Sequence, residues 1–590
     1  MCGIGGIFAY DERAASVRRE ELEAINTAMF SRGPDAGSTW ISNDARVGLA
    51  NRRLAIIDLS AEGTQPMFDT SGELVIAFNG EIYNYAELRA SLTRRGATFH
   101  SHTDTEVLLQ LYRHDGERML GRMRGMYAFA IWDSREQRLF VARDPYGIKP
   151  LYFADDGKTF RFASQVKALL ADGGVSKTRD VAGAAGFFLT GSVPEPFTMY
   201  ESIRAVEAGT AFHVDARGRG AARKHYSISS IYAAADEQRH LAHLAEPETL
   251  LCEHVRESVR YHLVADVPVG VFLSAGIDSA AVASIARHEV SSPLQTFTLT
   301  FDVFRGTEID EAPLAEAFAA SIGARHTTRV VTAEEFRADL PRIFAAMDQP
   351  TIDGVNTFFV SKIAHEAGVK VALSGLGGDE LFGSYPSFSS IPKIVRAASA
   401  GARMPRLSER ALRLATAAHL INPKAAAIPR YGATYGGAYL VKRGLHMPWE
   451  LADILGADAA EEGLRRLAPF TLFSEPLQPD PGTPFARIAT LESSLYMRNQ
   501  LLRDTDWASM AHSVEVRTPL VDAMLLRQIA PLLLVHGSQT KQAFGAILPE
   551  WLRNRPKRGF VVPLKDWANL PPDGTGTRMR SWAKVVYDSY

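Results

Sequence analysis

Cysteine is nearly missing from this chain: only Cys2 and Cys252 occur in 590 residues. A large secreted protein ordinarily carries a disulfide framework, so an oxidising compartment is disfavoured. Long hydrophobic runs are missing as well. The longest, such as 529–535, fall far short of the roughly 20 residues a membrane span requires. Asp11, Glu12 and Arg13 come too early for the apolar core of a secretory signal. A positive surplus is also lacking: the formal net charge is −2, and Lys and Arg are dispersed except at Arg553, Arg555, Lys557 and Arg558. Nucleic acids and anionic membranes are recognised by basic stripes, so neither is expected as a partner. These absences predict a cytoplasmic protein.

What is present is a globular composition, 46% hydrophobic and 22% charged. A chain of 590 residues exceeds the usual single domain of roughly 100–200 residues, so at least two large domains are expected. Residues 1–210 read as one. Short apolar strands (GIGGIFAY, LVIAFNG, YAFAIWD, RLFVARD, TFRFAS) are separated by Gly, Pro and Asn turns and interrupted by helical patterns at 18–29 and 105–114. This predicts an α+β domain on antiparallel sheet. Residues 211–248, rich in Ala, Arg, Gly, Glu and His, read as a linker. From 249 to 590 the rhythm becomes strand, Gly-rich loop, helix, as in VPVGVFLSAGIDSAAVASIAR and GVKVALSGLGGDELFGSY, which predicts a parallel α/β sheet covered on both faces. Residues 391–470 read as helical packing around it.

The two cysteines carry different expectations. Cys252 lies in the amphipathic pattern LLCEHVRESVRYHL and reads as a packed thiol. Cys2 directly follows the initiator Met, and a small second residue permits removal of that Met. The exposed α-amine, with an ordinary pKa of about 7.7–8.0, then serves as base for the adjacent thiol. Asn79-Gly80 after the strand LVIAF is by composition a hairpin turn, or else an oxyanion hole made by the Asn79 amide and the Gly80 N–H.

In the second half, V271-F-L-S-A-G-I-D-S279 sets a Ser/Gly loop between a strand and a helix, where backbone N–H groups and the helix dipole favour phosphate. Ser274, Gly276, Asp278 and Ser279 lie in it, without the GKS or GKT ending of a P-loop. The loop S374-G-L-G-G-D-E380 repeats the arrangement with two carboxylates. Mg2+ favours carboxylates plus substrate phosphates, which makes Asp278 and Asp379 candidate metal ligands.

MCGIGGIF, RGPD, NGEIYN, DTEVLL, GMYAFAIWD and ARDPYGIKPLY resemble the class II glutamine amidotransferases, whose fold is the N-terminal nucleophile hydrolase αββα sandwich. The resemblance implies Cys2 as nucleophile, Asn79 and Gly80 as oxyanion hole, Arg53 against the glutamine carboxylate, and Glu81 and Asp104 around its α-ammonium. The later loops, with TFTLTF, DQPTIDGVNTFFVSK, DTDWASMAHSVEVRTPLVD and RPKRGF, resemble the asparagine synthetase and β-lactam synthetase ATPases. That implies ATP contacts from Phe272, Leu299, Ser374 and Gly375, a Mg2+ cofactor, and Lys557 stabilising negative charge at the adenylation step.

Three positions depart from the family pattern SGGLDSS or SGGIDSS and its partner loop: Ala275, Ala280, and Leu376, where asparagine-forming members carry Glu. The combined reading is a glutamine-dependent, ATP-consuming amidotransferase. Aspartate is its default acceptor, giving asparagine, glutamate, AMP and pyrophosphate. Another carboxylate, on a surface sugar or natural-product precursor, is the rival acceptor. A β-lactam synthetase is disfavoured by retention of Cys2, and a silent regulatory homologue by retention of the whole residue set. A homodimer is compatible with the sequence.

Overall fold

The computed structural model describes residues 2–237, 239, 247–401, 423–554, 562–568, 570 and 578–590. In the N-terminal half two antiparallel sheets lie face to face. The first has six strands, in the order Ile203–Ala205, Tyr152–Asp155, Thr159–Ala163, Gly3–Ala9, Val47–Arg53 and Ala36–Ile41. The second has seven, running from Gly218–Arg219 through Thr210–Asp215, Arg138–Arg143, Gly125–Asp133 and Leu74–Ile82 to Met67–Phe68, with Arg223–Lys224 beside Thr210–Asp215.

Period-two alternation sorts the apolar side chains between layers. Ile4 and Phe8 point into the intersheet core with Ala128, Ala130 and Trp132. Ile7 and Ala9 point outward, onto Leu22 and Ile25 of the helix Arg19–Ala28. Phe129 and Ile131 point outward from the second sheet, under the helices Tyr85–Arg94 and Asp104–Asp115. A one-residue slip would exchange the two faces, and each buried Ile or Phe contributes about 1.5–3 kcal/mol, so the register is tightly specified. The layers are helix, sheet, sheet, helix: the antiparallel sheet agrees with the strand pattern, and the four-layer order with the family resemblance.

The C-terminal half is built on five strands, all parallel, in the order Arg325–Val331, Gln295–Phe301, Val269–Phe272, Val371–Leu373 and Glu515–Arg517. One face packs Val271 and Leu373 against the helices Ile277–Glu289 and Ala523–His536. The other packs Phe297, Phe301 and Val516 against Val355–Glu366. Crossover helices leave the Gly-rich loops together at the carboxyl ends of neighbouring strands, where open α/β sheets place ligands.

One stretch differs in detail from expectation. Of the 211–248 segment, the strand Thr210–Asp215 belongs to the second sheet, paired with Arg138–Arg143. Its Phe212 and Val214 enter the intersheet core, a role that two apolar side chains in a polar stretch do not advertise. Helix Ile228–Glu237 packs on Ala523–His536. Ahead of RPKRGF lie two short helices, Thr540–Gly545 and Glu550–Arg553, kept separate because Pro549 lacks the N–H a continuous helix needs. Cys252 is half-buried in helix Pro247–His262. Among the described residues, no helix is long and apolar enough to cross a membrane.

Candidate active sites

Cys2 leads into Gly3–Ala9, a strand in the interior of the first sheet, and is buried. Its backbone nitrogen donates to Asn79 Oδ1 at 3.1 Å. The Asn79 amide in turn donates toward Ser164 Oγ at 3.5 Å, and Ile4 N donates to the same oxygen at 3.0 Å. Asn79 and Gly80 do not form the hairpin turn their composition allows. They lie within Leu74–Ile82, paired through its length with Gly125–Asp133. Gly80 has φ +152°, and a Cβ there would sit 2.1 Å from the Met126 carbonyl oxygen, so only glycine fits.

Arg53 ends the strand Val47–Arg53, and its buried guanidinium donates to the carbonyls of Ser60 at 2.8 Å, Ile57 at 3.4 Å and Asp58. Carbonyls orient a guanidinium without cancelling its charge. Burial pushes the Cys2 thiol above its ordinary pKa, opposed by the Leu54 N–H and by Arg53, and reinforced by Glu81. Asp104 begins the helix Asp104–Asp115, and its Oδ2 accepts from Ile82 N at 2.9 Å. Burial raises it to about 6. Glu81 is raised well above the ordinary carboxylate range, by burial and by the neighbouring Glu515, with Arg517 opposing and Asp104 adding to the rise. Cys2, Arg53, Asn79, Gly80, Glu81 and Asp104 are thus gathered in one place. Its two raised carboxylates have the electrostatics of a site for a positively charged group.

The second set gathers around a cavity of about 1140 Å³. Phe272, Ser274, Gly276, Asp278 and Ser279 line it from the first loop, Leu299 from the adjacent strand, and Ser374, Gly375, Leu376 and Asp379 from the second loop. The first loop is closed by Ser274 N donating to Ser279 Oγ at 3.1 Å and Gly276 N to Ser274 Oγ at 3.2 Å. The loops touch closely: a Cβ on Gly375 would lie 2.5 Å from the Ser279 backbone nitrogen, and one on Gly378 2.5 Å from the Asp278 side-chain Cγ. That approach brings the two aspartates together, with Lys541 Nζ 2.8 Å from Asp278 Oδ2 and 3.0 Å from Asp379 Oδ1. An ammonium bridging two carboxylates marks a position suited to a cation. No group of three or more His, Cys, Asp or Glu suited to a metal occurs among the described residues, so a cation held here would complete its shell with phosphate and water. Lys557 lies outside the described residues.

Carboxyl groups also face this cavity from another side. Glu380, raised to about 8 mainly by burial and by Asp379, accepts from Tyr385 Oη at 2.9 Å. Burial likewise raises Asp353 and Asp504, which line the same space.

Comparison with known proteins matches residues 1–227 to the family described as "Glutamine amidotransferase domain" and residues 250–575 to "Asparagine synthase". Asparagine synthetase [glutamine-hydrolyzing] 1 of Bacillus subtilis is 32% identical over 610 aligned positions, covering 99% of this chain and 90% of that protein. The chain belongs to the glutamine-hydrolysing asparagine synthetase family. It is a ligase with a glutaminase half. A Mycobacterium tuberculosis protein described as a putative asparagine synthetase [glutamine-hydrolyzing] is 33% identical over 96% of this chain and 88% of its own length. Amidase chry2 of Gibberella zeae is 30% identical over 66% of this chain and 60% of its own.

Sequence reasoning missed the residues that join this family's two halves here. Arg32, inside RGPD, donates through Nε to the Cys2 carbonyl at 3.1 Å and pairs with Asp506 at 2.6 Å. Arg517, in SVEVRTPL, is fully buried, bonds Glu515 at 2.6 Å, and faces Glu81 at 3.5 Å. Its carbonyl accepts from Ser374 N at 2.8 Å, so one residue touches both sites. Both arginines stand in motifs that are recognisable in sequence, but nothing local names their partners. Lys541 stands outside every such motif.

Proposed function

We propose that the protein hydrolyses glutamine at Cys2 and uses the ammonia to amidate a carboxylate activated by ATP in the second cavity. After Met1 removal, the α-amine takes the thiol proton and the sulfur attacks the glutamine amide carbon. The oxyanion is held by Asn79 Nδ2 and Gly80 N–H, the α-ammonium passes its proton to the amide nitrogen so that ammonia departs, and water, losing a proton to the freed amine, releases glutamate from the thioester and restores the thiol. Arg53 takes the glutamine carboxylate, while Glu81 and Asp104 take its ammonium. Across the domain boundary, the acceptor carboxylate attacks the α-phosphorus of ATP and pyrophosphate leaves. Ammonia then displaces AMP from the acyl carbon to give the amide. Ser274, Gly276, Ser279, Ser374 and Gly375 would cradle the phosphates, and Phe272 and Leu299 the nucleoside. Asp278 and Asp379 would hold Mg2+, which when bound neutralises triphosphate charge. Lys557 would stabilise the charge that develops at the α-phosphate.

The observation that carries this reading is the double assembly itself: Cys2 nitrogen on Asn79 Oδ1 at 3.1 Å, and two phosphate-type loops in backbone contact around a 1140 Å³ cavity. The test is product stoichiometry with glutamine, Mg2+-ATP and an acceptor. Equal amounts of AMP, pyrophosphate and amide are expected, with glutamate at least matching them. ADP in place of AMP would overturn the adenylation route.

Aspartate is the default acceptor, and Glu380 and Asp353 on the cavity wall supply carboxyl groups for its ammonium where Leu376 cannot. Leu376 favours a second reading, a larger carboxylic acid with an apolar portion, because its side chain packs at the edge of the apolar core beside the adenylation loop.

A further inference from the structure

We propose that Lys541 is an internal counter-ion that keeps bare divalent metal out of the Asp278–Asp379 position and releases it only to metal arriving with nucleotide. The inference rests on the Mg2+-ATP reading of this cavity and adds an order to it.

The geometry is that of a plug. Lys541 Nζ bonds one carboxylate from each loop, at 2.8 Å and 3.0 Å, so it occupies the space between the two carboxylates that would hold the metal. Its backbone is fixed. Helix Thr540–Gly545 packs on Pro247–His262 and Ile277–Glu289, and Phe544, three residues on, is fully buried and stacked on Phe382 with ring centroids 5.0 Å apart. The four-carbon stem remains able to turn, and Lys541 itself lines the cavity.

Mg2+ gives up water reluctantly and binds weakly to two carboxylates alone. To enter by itself it must also expel an ammonium from both of them. With a triphosphate in the cavity the exchange differs: phosphate oxygens complete the metal's shell, and the displaced ammonium finds a new anionic partner on the same phosphates. The lysine therefore penalises metal alone and adds a phosphate contact once nucleotide is present.

The experiment is Mn2+ binding to the full-length protein, followed by the electron paramagnetic resonance signal of free Mn2+, with and without ATP and with no acceptor. Wild type is expected to bind Mn2+ at least tenfold more tightly with ATP than without. Lys541→Gln should bind Mn2+ alone at least tenfold more tightly than wild type, and its melting temperature should rise with Mn2+ alone. Lys541→Arg, which keeps the cation, should behave as wild type. Wild type binding Mn2+ equally well with and without ATP overturns the plug without recourse to any variant. So does a Lys541→Gln protein that still needs ATP, a result that leaves the nucleotide site standing. Absence of Mn2+ binding to wild type even with ATP overturns the nucleotide reading and the plug with it.

Discussion

Arg32 and Asp506, 474 residues apart in sequence, form an ion pair of 2.6 Å buried where the glutaminase and synthetase halves meet. The same guanidinium holds the Cys2 carbonyl, so the nucleophile's position depends on a carboxylate of the other domain. Removing one partner of a buried pair strands the other charge and costs about 3–5 kcal/mol. Asp506→Ala should lower the melting temperature and slow glutamine hydrolysis relative to wild type while leaving synthesis from ammonium salts in place. Unchanged glutamine hydrolysis in a folded variant would mean that the pair is structural only.

The glutaminase half-reaction should depend on Cys2 alone as nucleophile. Cys2→Ala is expected to abolish glutamine hydrolysis while synthesis from ammonium salts persists. Protein retaining Met1 should be equally inactive on glutamine, since its α-amine is locked in a peptide bond. Glutamate release by the Ala variant would remove the thiol from the mechanism.

Glutamine binding should carry a proton dependence set by Asp104 and Glu81, both held above the ordinary carboxylate range by burial. The bound ammonium prefers them ionised, so affinity is full above the raised values and falls as protons return. With Asp104 near 6, the dissociation constant should rise by up to about tenfold per pH unit below 6. Calorimetry on Cys2→Ala measures it without turnover. Asp104→Asn should weaken binding and flatten the profile.

Asp278→Ala or Asp379→Ala should eliminate pyrophosphate release, since either change removes half of the carboxylate pair. Glutamine hydrolysis should continue, its thiol lying in the other domain. Survival of pyrophosphate release in both variants would reduce the carboxylates to partners of Lys541.

Leu376 sets the acceptor test. If aspartate is the true acceptor, wild type should use it with kcat/KM of roughly 10⁴ M⁻¹s⁻¹ or better, in the common enzyme range. If apolar burial matters instead, a fitting nonpolar group gains up to about 1.5–3 kcal/mol beside Leu376, and Leu376→Glu should reverse that preference. Initial rates with aspartate against bulkier carboxylic acids decide between them.

The sequence by itself determined the residue types that local patterns announce. Alternating apolar strands announced the sheet faces, and strand-to-Gly-loop-to-helix runs announced the two cavity loops. A cysteine after the initiator Met pointed to the proposed nucleophile. The strands, the Gly-rich loops and the position of Cys2 are legible because periodicity and loop chemistry act over a few residues. Tertiary structure alone decided what those residues meet. Asn79-Gly80 reads locally as a turn but is strand, because pairing with Gly125–Asp133 takes up the backbone that a turn would bend. Phe212 and Val214 look like part of a linker until the sheet beside them offers an intersheet core. Lys541 has no local signature at all. It becomes a partner of Asp278 and Asp379 because Gly375 lets the two loops approach to backbone contact and Gly378 leaves room for the Asp278 carboxylate, and charge pairing at 2.8 Å and 3.0 Å depends on distance in space, which sequence separation does not encode.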